Sequence, residues 1–176
     1  ARLWQHLGQY ARALQALHDP PAQGLPAWMH AGLQWTALDV AQWREQRVEE
    51  APVQQALALM EGDANRRASN RVRGLRFEAP ATVLDEAAAL AAMARQHEQF
   101  GVLAALHLHE ARAAVARADG GRAQQAAHAL TALLDEGYAP EFTYLPEAWL
   151  VAAEAFEHAG EHADAQARAD AVAARL

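Results

Sequence analysis

Three observations predict an all-α fold, an antiparallel stack of helical hairpins with a right-handed superhelical curve. The first is a doublet: Trp28-x2-Ala31-Gly32-x2-Trp35 recurs as Trp149-x2-Ala152-Ala153-x2-Phe156, and the second copy runs on into Gly160 and Ala165. At helical spacing the small pair lets a neighbouring helix approach closely, and the aromatics fill the space on either side. The second is composition. Hydrophobic residues make up 52% of the chain, much of it Ala, the best helix former and the smallest core residue. The third is punctuation. Hairpins begin near residues 26, 63, 101 and 146, the first three spaced by about 37 residues, a period that fits tandem helix pairs.

Each element follows from local signals. Residues 1–18 read as a short helix, a turn at Gly8 and a second helix through Leu14 and Leu17, stopped by Asp19-Pro20-Pro21 because Pro lacks the N–H and clashes with the preceding turn. Pro26 sits near a first helical position and opens a long helix to about Trp43. Steps of seven and eight residues place Trp28, Trp35 and Trp43 on one stripe. A helix over roughly 48–61 follows, with Leu57 and Met60 on its apolar face. Gly62-Asp63 ends that pair, Asp63 being a good N-cap. The Arg-rich segment 63–77 is predicted helical. Pro80 opens a helix through Val83, Leu84, Leu90 and Met93; Gly101 separates it from a helix through Leu103, Leu106 and Val115; Gly120-Gly121 makes the next turn. The helix 122–136 ends at Gly137 as its C′ residue. The loop 138–146 carries Tyr138, Phe142 and Tyr144, and the last pair, 146–159 and 161–175, turns at Gly160. The total is about nine to ten helices in one domain, 1–176.

Length and charge set bounds. A chain of 176 residues buries roughly 70% of the surface that its unfolded form exposes, enough for a real core. The chain lacks Ile, Lys and Cys, and its fifteen basic residues are all Arg. Without Cys there is no disulfide, thiol catalysis or thiolate metal site. The net charge of −7 argues against a nucleic-acid binder, which carries a basic surface. No apolar run approaches the ~20 residues of a membrane span, and no signal peptide is seen. The expectation is a cytoplasmic protein with no cofactor and no membrane contact. Beginning at Ala1 and ending in or near a helix, the chain reads as a fragment of a larger protein.

Trp149, Ala152, Ala153, Phe156, Gly160 and Ala165 fall in an order and spacing that resemble tetratricopeptide repeats. Leu7-Gly8, Tyr10 and Ala13 resemble the second half of one such repeat, while the middle pairs are degenerate, with Asp39 where a turn Gly is expected and few of the Pro residues that close each repeat. The stretch from Tyr144 through Gly160, starting Leu-Pro-Glu-Ala-Trp-Leu, is similar to the C-terminal repeat region of large bacterial signal-transduction NTPase transcriptional regulators. The resemblance implies a non-catalytic sensing module. A protein, peptide or small effector would bind a concave face lined by 28–43, 63–76, 102–117 and 147–158. Neither a phosphate-binding loop nor a helix-turn-helix is present. A constitutive scaffold for protein partners and an oligomerisation module remain open as alternatives.

Several constellations carry chemistry and are weighed against plainer roles. Arg66, Arg67, Arg71, Arg73 and Arg76 form the one local basic cluster. On a helix Arg66, Arg73 and, to one side, Arg76 share a face, while Arg67 and Arg71 form an i,i+4 pair on another. Arg offers bidentate donors to carboxylate or phosphate, so Arg66, Arg73 and Arg76 are candidates for an acidic partner; the plainer role is a solvated face paired with Glu61, Asp63 and Glu78. Tyr138, Phe142 and Tyr144 are recognition candidates because loop aromatics frequently serve binding, or they plug a gap between hairpins. The Trp stripe reads as core rather than groove. His158 and His162 are four apart but straddle Gly160, and His107 and His109 point to nearly opposite sides, so three or four converging zinc ligands are not expected. The carboxylates Asp85-Glu86, Asp135-Glu136 and Glu45/Glu49/Glu50 have no nucleophile or ligand cluster beside them, so no enzyme activity is expected.

Overall fold

A computed structural model describes residues 26–43, 50–59, 62, 64–141, 143 and 145–173. The first predicted hairpin, Asp63, Phe142 and Tyr144 lie outside the described residues. Among the described residues there are eight α-helices and no strand: α1 (Ala27–Trp43), α2 (Glu50–Ala58), α3 (Ala64–Gly74), α4 (Pro80–Gln96), α5 (Phe100–Ala116), α6 (Gly120–Asp135), α7 (Leu145–His158) and α8 (His162–Ala173), with a 3₁₀ turn at Leu75–Phe77. The chain divides into two compact units, residues 1–70 and 71–176. None of the described helices is long and apolar enough to cross a membrane.

In the first unit, α1 packs on α2. Ala31, Trp35 and Leu38 form one buried apolar stripe at helical spacing, and Thr36, Asp39 and Val40 are buried on other sides of the helix. The tie to α3 is polar. Trp35 Nε1 donates to Asn70 Oδ1 at 2.5 Å, and Asn70 Nδ2 donates to the carbonyls of Ala56 and Leu57 at 3.2 and 3.1 Å. One buried amide thus joins three helices, and its donors and acceptor are satisfied, as burial of polar groups requires. The tryptophan stripe does not stay in the core. Trp35 is 2% exposed but Trp28 is 44% exposed.

The second unit is centred on α5, which packs on α4, α6 and α7. Its sequence FGVLAALHLHEARAAVA is buried continuously from Val102 through His109, because a helix that is apolar nearly all round is stable only when enclosed. Ala104, Ala105, Ala111, Ala113 and Ala114 contribute the small surfaces that bring the neighbours close. Leu106 and Leu108, both 0% exposed, each contribute roughly 1.5–3 kcal/mol by leaving water. The helix α6 packs on α7 in turn, and α7 on α8.

Four helices of the second unit, α4 to α7, end in one recurring backbone device. The amides of Gln99, Asp119, Tyr138 and Glu161 each donate to the carbonyl five residues back, at Ala94, Ala114, Leu133 and Phe156. The residue before each amide has positive φ: Glu98 54°, Ala118 55°, Gly137 93° and Gly160 84°. This is the 6→1 helix-capping turn that satisfies the last carbonyls and reverses the chain. Two of the four expected turn positions are therefore corrected. Gly101 and Gly120 lie inside the first turns of α5 and α6, and the left-handed residues are Glu98 and Ala118. Gly101 has a different role: a Cβ there would lie 3.1 Å from the Ala139 carbonyl oxygen, and its own carbonyl accepts from the Glu141 amide at 3.0 Å. The loop after α6 rests on the start of α5.

Candidate functional site

The most chemically diverse surface of the second unit lies where α5 meets α7. Arg112 on α5 donates from Nη2 to Glu147 Oε1 on α7 at 2.5 Å, with side chains 43% and 41% exposed. Leu150, three residues on from Glu147 and so on the same helical face, is 52% exposed, the most exposed of the large apolar side chains described. Leu145, at the start of α7, is 38% exposed. Beneath Arg112, one helical turn back, lies His109 at 9% exposure. Burial first, then the positive charges of Arg112 and of Arg76 from the 3₁₀ turn, push its imidazole down to about 3. It is a neutral ring at neutral pH. Further along α7 the exposed stripe turns acidic at Glu154 and Glu157.

The predicted basic cluster is distributed. Arg66 is exposed on α3 in the first unit, with its guanidinium 4.8 Å from the Trp28 ring centre, a cation–π distance. Arg73 belongs to the second unit and is only 5% exposed. Arg76 is half-buried in the 3₁₀ turn, 5.0 Å from the Phe77 ring; the turn ends the regular helical register on which a shared face depends. Arg71 grips two carboxylates, Glu78 at 2.9 Å and Glu86 at 2.7 and 2.5 Å. Its guanidinium holds the Glu86 carboxyl below its usual value. Glu78 was expected as a partner from sequence; Glu86, a helix away, was not. Tyr138 is 38% exposed and its ring centre lies 4.8 Å from that of Phe100.

Both His107 and His109 are buried, at 8% and 9% exposure, although two residues apart on a helix, because α5 is covered on nearly every side. His107 Nδ1 lies 2.9 Å from Glu110 Oε2. His162 Nδ1 lies 2.8 Å from Glu157 Oε2 on the surface, which raises the imidazole above its usual value. No group of three or more His, Asp or Glu side chains that could hold a metal ion occurs among the described residues. Sequence reasoning passed over Arg112, Glu147 and His109 as a group. Their separation hides them, but the unbroken apolar run of α5 signals an enclosed helix in which any histidine lies against the core.

No family model, curated protein or solved structure matches the chain.

Proposed function

We propose that the chain is a non-catalytic binding module of tandem helical hairpins, in the manner of tetratricopeptide repeats, and that it takes up a peptide segment of a protein partner on the face made by α5 and α7. One observation carries this reading: five of the polar links between elements share a near-constant sequence separation, while Asn70 to α2 and Arg71 to Glu86 link adjacent elements over 13 to 15 residues. Trp35–Asn70, Arg112–Glu147, Arg122–Leu84, Gln124–Glu161 and Arg168–Asp135 span 35, 35, 38, 37 and 33 residues. Such a constant interval is what a tandem repeat of that length produces when each unit touches only the next. The packing of α5 on α7 as well as on α6 supports the same reading, since first helices of successive hairpins then stand side by side. In this reading α5 and α7 line the concave face.

The wider reading is that this module is the sensing end of a bacterial transcriptional regulator; a scaffold without a switch is the alternative, and the flanking gene sequence separates the two. Oligomerisation through the face of α8 is disfavoured by its described exposed residues, His162, Ala163, Gln166, Ala167, Asp170 and Ala173, which include no large apolar side chain.

A peptide-display selection against the chain tests the binding reading. Enriched peptides are expected to lose binding to the Leu150→Asp variant, in which only an exposed side chain changes, and to retain it on Ala88→Asp, an exposed position of α4. Equal loss or equal retention on both variants would count against the α5–α7 face.

A further inference from the structure

One sector of α7 is left uncovered by its neighbours. At the helical repeat, Glu147, Leu150, Glu154, Glu157 and His158 fall within an arc of about 100°, and each is exposed or half-exposed. The other residues from Ala148 to Phe156 are buried. Leu150 stands in the middle of this arc at 52% exposure, with a carboxylate about one turn away on each side, Glu147 before it and Glu154 after it. An exposed large apolar side chain with a polar rim is the pattern of a protein-contact surface. Two of the three carboxylates already have cationic neighbours: Arg112 lies at 2.5 Å from Glu147 and His162 at 2.8 Å from Glu157. Glu154 has no ion pair or hydrogen bond among the described residues. The charge that the arc leaves unanswered is therefore negative and lies at the Glu154 end.

We propose that the occupant of this face is a cationic peptide segment of a partner protein, with an apolar side chain on Leu150 and an arginine or lysine against Glu154. The inference deepens the peptide-binding reading and rests on it. Charge complementarity selects the ligand: a guanidinium or ammonium group answers the Glu154 carboxylate, whereas an acidic residue there meets a like charge, which discriminates against the wrong partner. Arg112, held by Glu147, repels a further cation, so the basic residues of the ligand lie toward Glu154 and Glu157. The net charge of −7 favours the encounter with a cationic segment as well.

The test is a nuclear magnetic resonance titration of the whole chain with three peptides of one apolar pattern. The first is acetyl-Leu-Arg-Arg-Leu-Leu-Arg-Arg-Leu-amide; the second and third carry glutamine or glutamate in place of every arginine. The arginine peptide is expected to move the α7 amide resonances saturably and to bind most tightly, the glutamate peptide least. Glu154→Gln, an exposed change, is expected to weaken the arginine peptide roughly two- to fivefold, the scale of one exposed ion pair, and to leave the glutamine peptide unaffected. Asp85→Asn, which removes an exposed carboxylate from α4, is expected to leave the arginine peptide's affinity unchanged. Equal weakening by the two variants would mean attraction to the overall negative charge and would overturn the assigned face for the cation. A glutamine or glutamate peptide that binds α7 as tightly as the arginine peptide would overturn the cationic ligand while leaving peptide binding intact. No shift in α7 with any of the three would overturn both.

Discussion

Ala118 and Glu98 occupy left-handed backbone positions, at φ of 55° and 54°, where an L side chain costs roughly 1–2 kcal/mol. Replacing Ala118 by Gly is therefore expected to stabilise the protein by about 0.5–1 kcal/mol despite the looser unfolded chain, whereas Gly160→Ala, at φ 84°, destabilises it by about 1 kcal/mol; thermal melts of the two variants check the opposite signs. His109 sets the pH dependence. Its ring is pushed down to about 3 when folded and has an ordinary value near 6.5 when unfolded. Below about pH 6.5 the unfolded chain binds a proton that the folded chain does not, so His109's contribution is full above that pH and is lost as the pH falls toward 3. The expected slope is about 1.4 kcal/mol per pH unit between those limits, and denaturant melts of His109→Gln at pH 6, 5 and 4 should show that slope removed. These residues were poorly legible from sequence. Gly137 and Gly160 announce their turns, but nothing local distinguishes Ala118 or Glu98, whose backbones are set by the helices they join.

At the scale of elements, the helices were legible because their signals are local: Pro80 at the first helical position and Gly137 past the end of α6. The connections were less so. Gly101 reads as a turn residue, yet it sits inside α5 where a loop from forty residues away in sequence comes to rest, a tertiary cause that no local pattern reports. Two glycines in first turns of helices consequently behave oppositely. Gly101→Val is expected to cost about 1–3 kcal/mol by overpacking against the Ala139 carbonyl, with faster amide exchange at Glu141. Gly121→Ala, whose Cβ would meet nothing nearer than Asp119 Oδ1 at 3.9 Å, gains up to about 1 kcal/mol of helix propensity. Melting curves and exchange rates of the two variants separate packing from propensity.

At the scale of the molecule, the period of about 37 residues read from turn residues reappears in hydrogen bonds that span 33 to 38 residues. The doublet keeps its burial at two of four positions: Ala31 and Ala152 are 3% and 0% exposed, and Trp35 and Phe156 are 2% and 1%, while Gly32 matches a buried Ala153 without being buried itself. Trp28, 44% exposed, departs from Trp149 at 2%. Small-pair spacing and alanine richness thus carried the packing, whereas the candidate site did not show itself, because Arg112 and Glu147 come together only once α5 stands beside α7. The central claim is that this face receives a peptide. Its most direct test is amide hydrogen exchange across the chain with and without a display-selected peptide. Slowed exchange concentrated in α5 and α7 is the predicted result; slowing confined to α4, α6 and α8, or none at saturating peptide, would contradict it.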